Sequence, residues 1–148
     1  MKEKINDLEE NIITKDEINL IYNTEKEGEC KIFGDKFVEI NKNNIDLNIN
    51  GKSSKLVSKY KLKKGNNNIK IIIKNKLTDL QYMFWGCSKL KNINELKNLN
   101  TQYCNNFQSM FEGCSSLLEI KGLEEWNVSN GNNFKGMFQG CSSLTDIK

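Results

Sequence analysis

The stretch "MFEGCSSL", Met110–Leu117, is said almost again as "MFQGCSSL" at Met137–Leu144, and once before as "MFWGCSKL" at Met83–Leu90. A catalytic motif has to occur once, where the chemistry takes place, whereas a packing motif recurs wherever one structural unit stacks on a copy of itself. The octet therefore points to architecture. Its period is 27 residues, set by Cys87, Cys114 and Cys141 and kept by Met83, Met110 and Met137. On that period residues 87–113 and 114–140 share twelve identities, among them Leu90 with Leu117, Ile93 with Ile120, Phe107 with Phe134 and Phe111 with Phe138. The apolar positions are what repeats.

A 27-residue period lies in the range of leucine-rich repeats, in which each coil supplies one short strand and a return segment to a solenoid. In "CSSLLEIKGL" the spacing turns Leu117 and Ile120 inward and leaves Leu118, Glu119 and Lys121 on an outer, concave surface. "NNFKGMF", 132–138, puts Phe134, Met137 and Phe138 on one face of a short helical turn. Asn105 or Asn132 is expected to cap that turn, and Gly86, Gly113 and Gly140 to end it in a left-handed conformation. The expected structural ladder is Cys87, Cys114 and Cys141, with Met83, Met110, Met137, Phe84, Phe111 and Phe138.

The pattern "MFxGCSSLxxI", followed by "GLEEWNVSN" and "NNFKGMF", resembles the BspA-like leucine-rich repeat family over residues of about 77–148. That resemblance implies a solenoid used for protein recognition and, in many members, for adhesion as a surface protein.

Upstream the pattern differs. Ile5, Leu8, Ile12 and Ile13 lie at helical spacing within residues 1–16, and from Glu17 the period becomes that of strands, in "EINLIYNT", "ECKIF", "IDLNIN", "SKLVSKYKL" and "NIKIIIK". "GDKFVEINK" predicts a short helix between strands, and Asn50-Gly51 a hairpin turn. The expected fold is mixed α/β. A short N-terminal helix (1–16) and a small, mostly antiparallel β capping domain (17–76) precede a leucine-rich-repeat solenoid of about two and a half coils (77–148).

Composition narrows the chemistry. All 22 basic residues are Lys, the net charge is +3, and the chain has no His, Arg, Pro or Ala. Without His, a histidine general base, a Ser-His-Asp arrangement and every His-containing zinc site are excluded within this chain. Five cysteines with no CxxC pair read as small buried hydrophobes rather than a metal or redox set. No cofactor and no metal are expected, and no catalytic residue stands out.

The expected function is a non-enzymatic protein-protein interaction module on a leucine-rich scaffold. Its partner would meet the concave residues Lys91, Asn92, Asn94, Leu118, Glu119, Lys121, Thr145 and Asp146, together with Trp85, which sits where later coils carry Glu112 and Gln139. The partner is expected to be a protein, and the apolar end after "SSLTDIK" points also to self-association. Two alternatives stand beside this. One is a fragment of a cell-surface adhesin. The other is a nucleic-acid or acidic-ligand binder using the nine lysines of Lys52–Lys76, a stretch with no acid, although alternation with apolar residues makes a solvated strand face the stronger reading and nucleic acid an unfavoured partner. The charged start carries no leader or membrane span. The expected location is cytoplasmic for a complete chain and the cell surface for a piece of a longer secreted one.

Overall fold

The computed structural model describes residues 17–147, and the helical segment expected over 1–16 lies outside the described residues. The elements are β1 (Glu17–Thr24), β2 (Gly28–Lys31), α1 (Asp35–Asn41), β3 (Ile45–Ile49), β4 (Lys52–Lys55), β5 (Lys59–Leu62), β6 (Gly65–Ile73), β7 (Leu90–Asn94), β8 (Glu119–Ile120) and β9 (Asp146–Ile147). Three-residue 3-10 turns, Leu96–Asn98 and Leu123–Glu125, follow β7 and β8.

Strict alternation makes β1 a half-buried strand: Ile18, Leu20 and Tyr22 face inward and are fully buried, while Asn19 and Asn23 face water. β6 and β3 bury Ile69, Ile71, Ile45, Leu47 and Ile49 on the same face. Each such side chain contributes roughly 1.5–3 kcal/mol by leaving water. The strands form one mixed seven-stranded sheet in the order β4-β3-β6-β1-β7-β8-β9, beside a two-stranded sheet of β2 and β5. The expected strand "SKLVSKYKL" is thus two strands, β4 and β5, in different sheets. Asn50-Gly51 turns β3 into β4 with both residues at positive φ, 49° and 91°.

The junction between the halves is β1. On one side it pairs antiparallel with β6 (Leu20 opposite Ile69), on the other antiparallel with β7 (Leu20 opposite Ile93). From β7 onward the pairing is parallel, Ile93 with Ile120 and Ile120 with Ile147, and each step is one 27-residue period. Phe33 stacks on Phe37 of α1 at 6.0 Å and on Phe84 at 5.5 Å, closing the near end of the stack. The Asn41 side-chain amide donates to the Asp79 carbonyl at 2.9 Å, and the Tyr22 hydroxyl donates to the Ile32 carbonyl.

This corrects the expected fold class. The period is present as three stacked layers, but they do not make a curved leucine-rich solenoid set beside a separate cap. They are the parallel edge of the same sheet that β1, β3 and β6 build. A horseshoe curves because its return side is wider than its strand side. Here the return side is a hydrogen-bonded ladder too: Tyr82, Phe84 and Gly86 N–H donate to the Gln108, Met110 and Glu112 carbonyls at 2.8–2.9 Å. Bridges Asp79–Asn106 and Asn106–Asn133 keep that side parallel and in register. Both sides rise by the same strand spacing, so nothing drives curvature. The expected helical turn is absent as well, since "NNFKGMF" forms hydrogen-bonded turns. Their cap lies one residue beyond the expected Asn105 and Asn132: Asp79, Asn106 and Asn133 side-chain oxygens accept from Gln81, Gln108 and Lys135 N–H at 3.0–3.1 Å.

Candidate functional site

The octet forms a corner that repeats atom for atom between layers. Phe84 stacks on Phe111 at 5.7 Å and Phe111 on Phe138 at 5.4 Å, while Phe107 stacks on Phe134 at 5.0 Å with the rings 4° from parallel. Gly86, Gly113 and Gly140 all hold positive φ, 73°, 79° and 77°, and a Cβ on either later glycine would touch the glycine below at 3.3–3.4 Å. Glycine is needed there for conformation and for close approach. A second left-handed row, Tyr82, Ser109 and Gly136 at 59°, 52° and 65°, went unread in the sequence because two of its members are not glycine.

The cysteines bind layers together. Cys114 Sγ donates to the Phe84 carbonyl at 3.2 Å, Cys141 Sγ to the Phe111 carbonyl at 3.0 Å, and Cys104 Sγ to the Leu77 carbonyl at 3.3 Å. Cys87, Cys104 and Cys114 are fully buried and Cys141 half-buried, all as free thiols. Burial pushes these thiols up: Cys104 to about 11 with the nearby Asp79 carboxylate adding to it, and Cys87 and Cys114 well above the ordinary thiol value. At neutral pH they are protonated and poor nucleophiles. Among the described residues no group of three or more Cys, Asp or Glu is placed to hold a metal.

The residues expected to meet a partner do not line a concave face. Lys91, Asn92 and Asn94 lie on or beside β7, half-buried; Glu119 and Asp146 continue the Asn92 row on β8 and β9, and Ile21 of β1 continues it the other way. Asn92, Asn94 and Glu119 belong to the outer face of the whole sheet. Leu118 is 42% exposed, Thr145 is exposed, and Lys121 pairs with Glu119 at 3.1 Å. Trp85 lies far from that row, at the corner beside α1, and is exposed.

The Lys52–Lys76 strip does not form one surface either. Lys52 and Lys55 sit on edge strand β4, Lys59 and Lys61 on β5 in the other sheet. Lys61, Lys70 and Lys74 pair with Glu27, Glu17 and Asp46 at 3.3–3.6 Å, and Lys76 lies 4.5 Å from the Tyr103 ring centroid. A binder of nucleic acid through that strip is not supported, because its charges are dispersed over two sheets and their connections rather than gathered on one surface.

The feature with unspent binding capacity is the outer face of the third layer. Phe107, Phe111, Cys114 and Leu117 are fully buried in the second layer, whereas Phe134 is 43% exposed and Phe138, Cys141 and Leu144 are half-buried. The backbone shows the same step. Phe107, Ser109, Phe111 and Gly113 N–H donate to the Asn133, Lys135, Met137 and Gln139 carbonyls at 2.8–2.9 Å. The equivalent N–H groups of Phe134, Gly136, Phe138 and Gly140 find no acceptor among the described residues.

The family described as "Mycoplasma protein of unknown function, DUF285" matches residues 53–148, from β4 through all three layers. The match is to that family and not to a leucine-rich repeat family, which corrects the BspA-like resemblance and, with it, the leucine-rich scaffold and surface-adhesin functions that rested on it. No curated protein and no solved structure matches the chain. No helix among the described residues is long and apolar enough to cross a membrane.

Proposed function

This chain belongs to the DUF285 family, and for it we propose a non-enzymatic role in which the outer face of the third layer takes an extended segment of a protein partner as a fourth layer. The observation that carries this is the row of alternate N–H groups at Phe134, Gly136, Phe138 and Gly140, which have no acceptor among the described residues and lie beside a part-exposed Phe134 and Phe138. Main-chain donors at every second residue fit the carbonyls of an extended polypeptide, and the aromatic pair fits apolar side chains between them. A second copy laid return edge against return edge would set N–H against N–H. Self-association therefore has to offer a different edge.

The non-enzymatic part of this reading is supported by the thiols, whose burial removes the strongest nucleophile the chain owns. The cytoplasm and the cell surface stand as the two proposed locations. Fractionation of cells producing the natural protein decides between them.

Amide hydrogen exchange tests the binding face. The four third-layer amides are expected to exchange fast while those of Phe107, Ser109, Phe111 and Gly113 exchange slowly. A synthetic peptide copying residues 132–144 should slow the four when added. Slow exchange without peptide, or fast exchange at saturating peptide, overturns the proposal. Sedimentation at rising concentration of the free chain shows whether a second copy is one source of that segment.

A further inference from the structure

The first two layers each receive a neighbour on the face that the third leaves open, so the chain itself shows what that face accepts. The octet, with the three residues before Met, lies as Leu80–Cys87, Phe107–Cys114 and Phe134–Cys141. The contacts of the first step recur in the second. Tyr82, Phe84 and Gly86 N–H donate to the Gln108, Met110 and Glu112 carbonyls, and Ser109, Phe111 and Gly113 N–H to those of Lys135, Met137 and Gln139. The Phe84 carbonyl accepts from Cys114 Sγ at 3.2 Å and the Phe111 carbonyl from Cys141 Sγ at 3.0 Å, each in addition to a main-chain N–H of its own layer. Phe84, Phe107 and Phe111 each carry a ring of the next layer at 5.0–5.7 Å.

Layer three repeats every one of these groups. Beside its four N–H donors, the Phe138 carbonyl accepts the Cys141 N–H at 3.2 Å and no thiol among the described residues. Phe134 and Phe138 stack on Phe107 and Phe111 below, and no ring among the described residues lies above them. A Cβ on Gly113 would lie 3.4 Å from the Gly86 Cα, and one on Gly140 3.3 Å from the Gly113 nitrogen, all three glycines being left-handed. A residue laid over Gly140 meets the same close approach and the same backbone, which glycine alone supplies without strain. Main-chain donors accept any extended polypeptide, whereas the glycine column, the thiol site and the two ring faces do not.

The octet's carbonyl side is what a guest has to present, and in the folded chain that side is taken. The Met110 and Met137 carbonyls accept from Phe84 and Phe111 N–H of the layer below. In the first layer the segment before α1 does the covering: Gly34 N–H donates to the Met83 carbonyl at 2.9 Å, and Phe33 stacks on Phe84 at 5.5 Å. A second folded copy therefore has no octet carbonyls to give, and the guest has to come from another polypeptide.

We propose that the fourth layer is a segment of a different protein that carries the octet pattern itself, aromatic-x-x-apolar-aromatic-x-Gly-Cys, laid parallel and in register on Phe134–Cys141. This rests on the third-layer reading above and adds to it the partner's sequence and direction.

Three peptides of equal length, kept reduced, are the probes: a copy of residues 132–144, the same copy with Gly140→Ala, and an alternating Thr-Val chain. The readout is protection of the Phe134, Gly136, Phe138 and Gly140 amides of the full chain from exchange. The octet copy should protect all four saturably, and the other two peptides should bind at least tenfold more weakly. A spin label on the N-terminus of the octet copy should broaden the Phe134 amide resonance more than that of Gly140. Equal affinity for either of the other peptides, or stronger broadening at Gly140, overturns the octet partner and leaves an extended partner of some other sequence standing. Protection by none of the three overturns the third-layer reading and this proposal together.

Discussion

Strand β6 runs nine residues and is paired over Gly65–Ile72 with β1 on one side and over Ile69–Ile73 with β3 on the other, while β8 and β9 run two residues each at the far edge of the same sheet. In the antiparallel half, order comes from long ladders whose alternate side chains fill one core. In the stacked half the strands are too short for that. Order there comes from rows that cross the layers: two aromatic columns, the return-side N–H ladder, the glycines and the thiols. The edges differ accordingly. β4 ends the antiparallel side as "KSSK", exposed and lysine-flanked, which discourages further pairing, while the third layer presents part-exposed aromatic rings and N–H groups that have no acceptor among the described residues. One edge discourages a neighbour, and the other is the edge at which the proposed fourth layer would add.

Breaking a row should therefore hurt more than breaking any surface pair. Phe111 is the middle ring of its column and fully buried, so Phe111→Ala should cost about 3–5 kcal/mol in denaturant unfolding. A loss under about 1 kcal/mol would mean the column is not what holds the layers.

Alkali should act next, and mostly on the stacked half. Its buried thiols have raised folded values, so their contribution is whole below the ordinary thiol value of 9.0 and is lost as pH climbs toward the folded value, about 11 for Cys104 and higher for Cys114. Within that window each thiol should remove about 1.4 kcal/mol per pH unit. Melting followed from pH 8 upward, to about pH 11, should show this limb, and Cys104→Ala should flatten it. A flat profile in the parent chain would show the thiols are accessible.

Gly113→Ala follows, at roughly 1–2 kcal/mol for forcing a Cβ into left-handed backbone. Gly28→Ala in the antiparallel half meets nothing within 4 Å and should be near neutral. Equal effects at the two sites would erase the distinction between the halves. Smallest of all is Lys74→Gln, which breaks the half-exposed pair with Asp46 and should change stability by less than about 1 kcal/mol in the same unfolding measurement.

Much of this was written in the residues. Alternation marked β1, β3 and β6, "GDKFVEINK" marked α1, and the octet marked the stack with its burial and its turning glycines. The curved solenoid was misjudged because a period says what recurs and not what lies beside its first member; nothing in "LKNIN" announces that Leu20 will pair with Ile93. Periodicity also cannot tell a curved stack from a flat one, which depends on backbone bonds of the return side. Of the residues expected on a concave face, Lys91, Asn92, Asn94, Glu119 and Asp146 fall on strands and Leu118, Lys121 and Thr145 beside them, and the surface near them is set by β1. Trp85 was visible as an outlier. The Lys31 ammonium 4.4 Å from its ring centroid was not, since Lys31 comes from a different stretch of chain, and Tyr82 hides in a backbone conformation that no sequence pattern marks.

The central place of β1 also sets the order in which the molecule can assemble. Its partners lie at residues 65–73 and 90–94, so an emerging chain must hold its first described strand unpaired until about half of the 148 residues have been made, and half-paired for some twenty more. Closing those distant loops carries the entropic penalty that slows folding in topologies rich in non-local pairs. Once β7 has docked on β1, each later layer needs only a 27-residue excursion to land on the one before it, and the growing end advances by zipping. The slow step falls at the first closure, and the repeats, though they fill half the sequence, are added downhill of it.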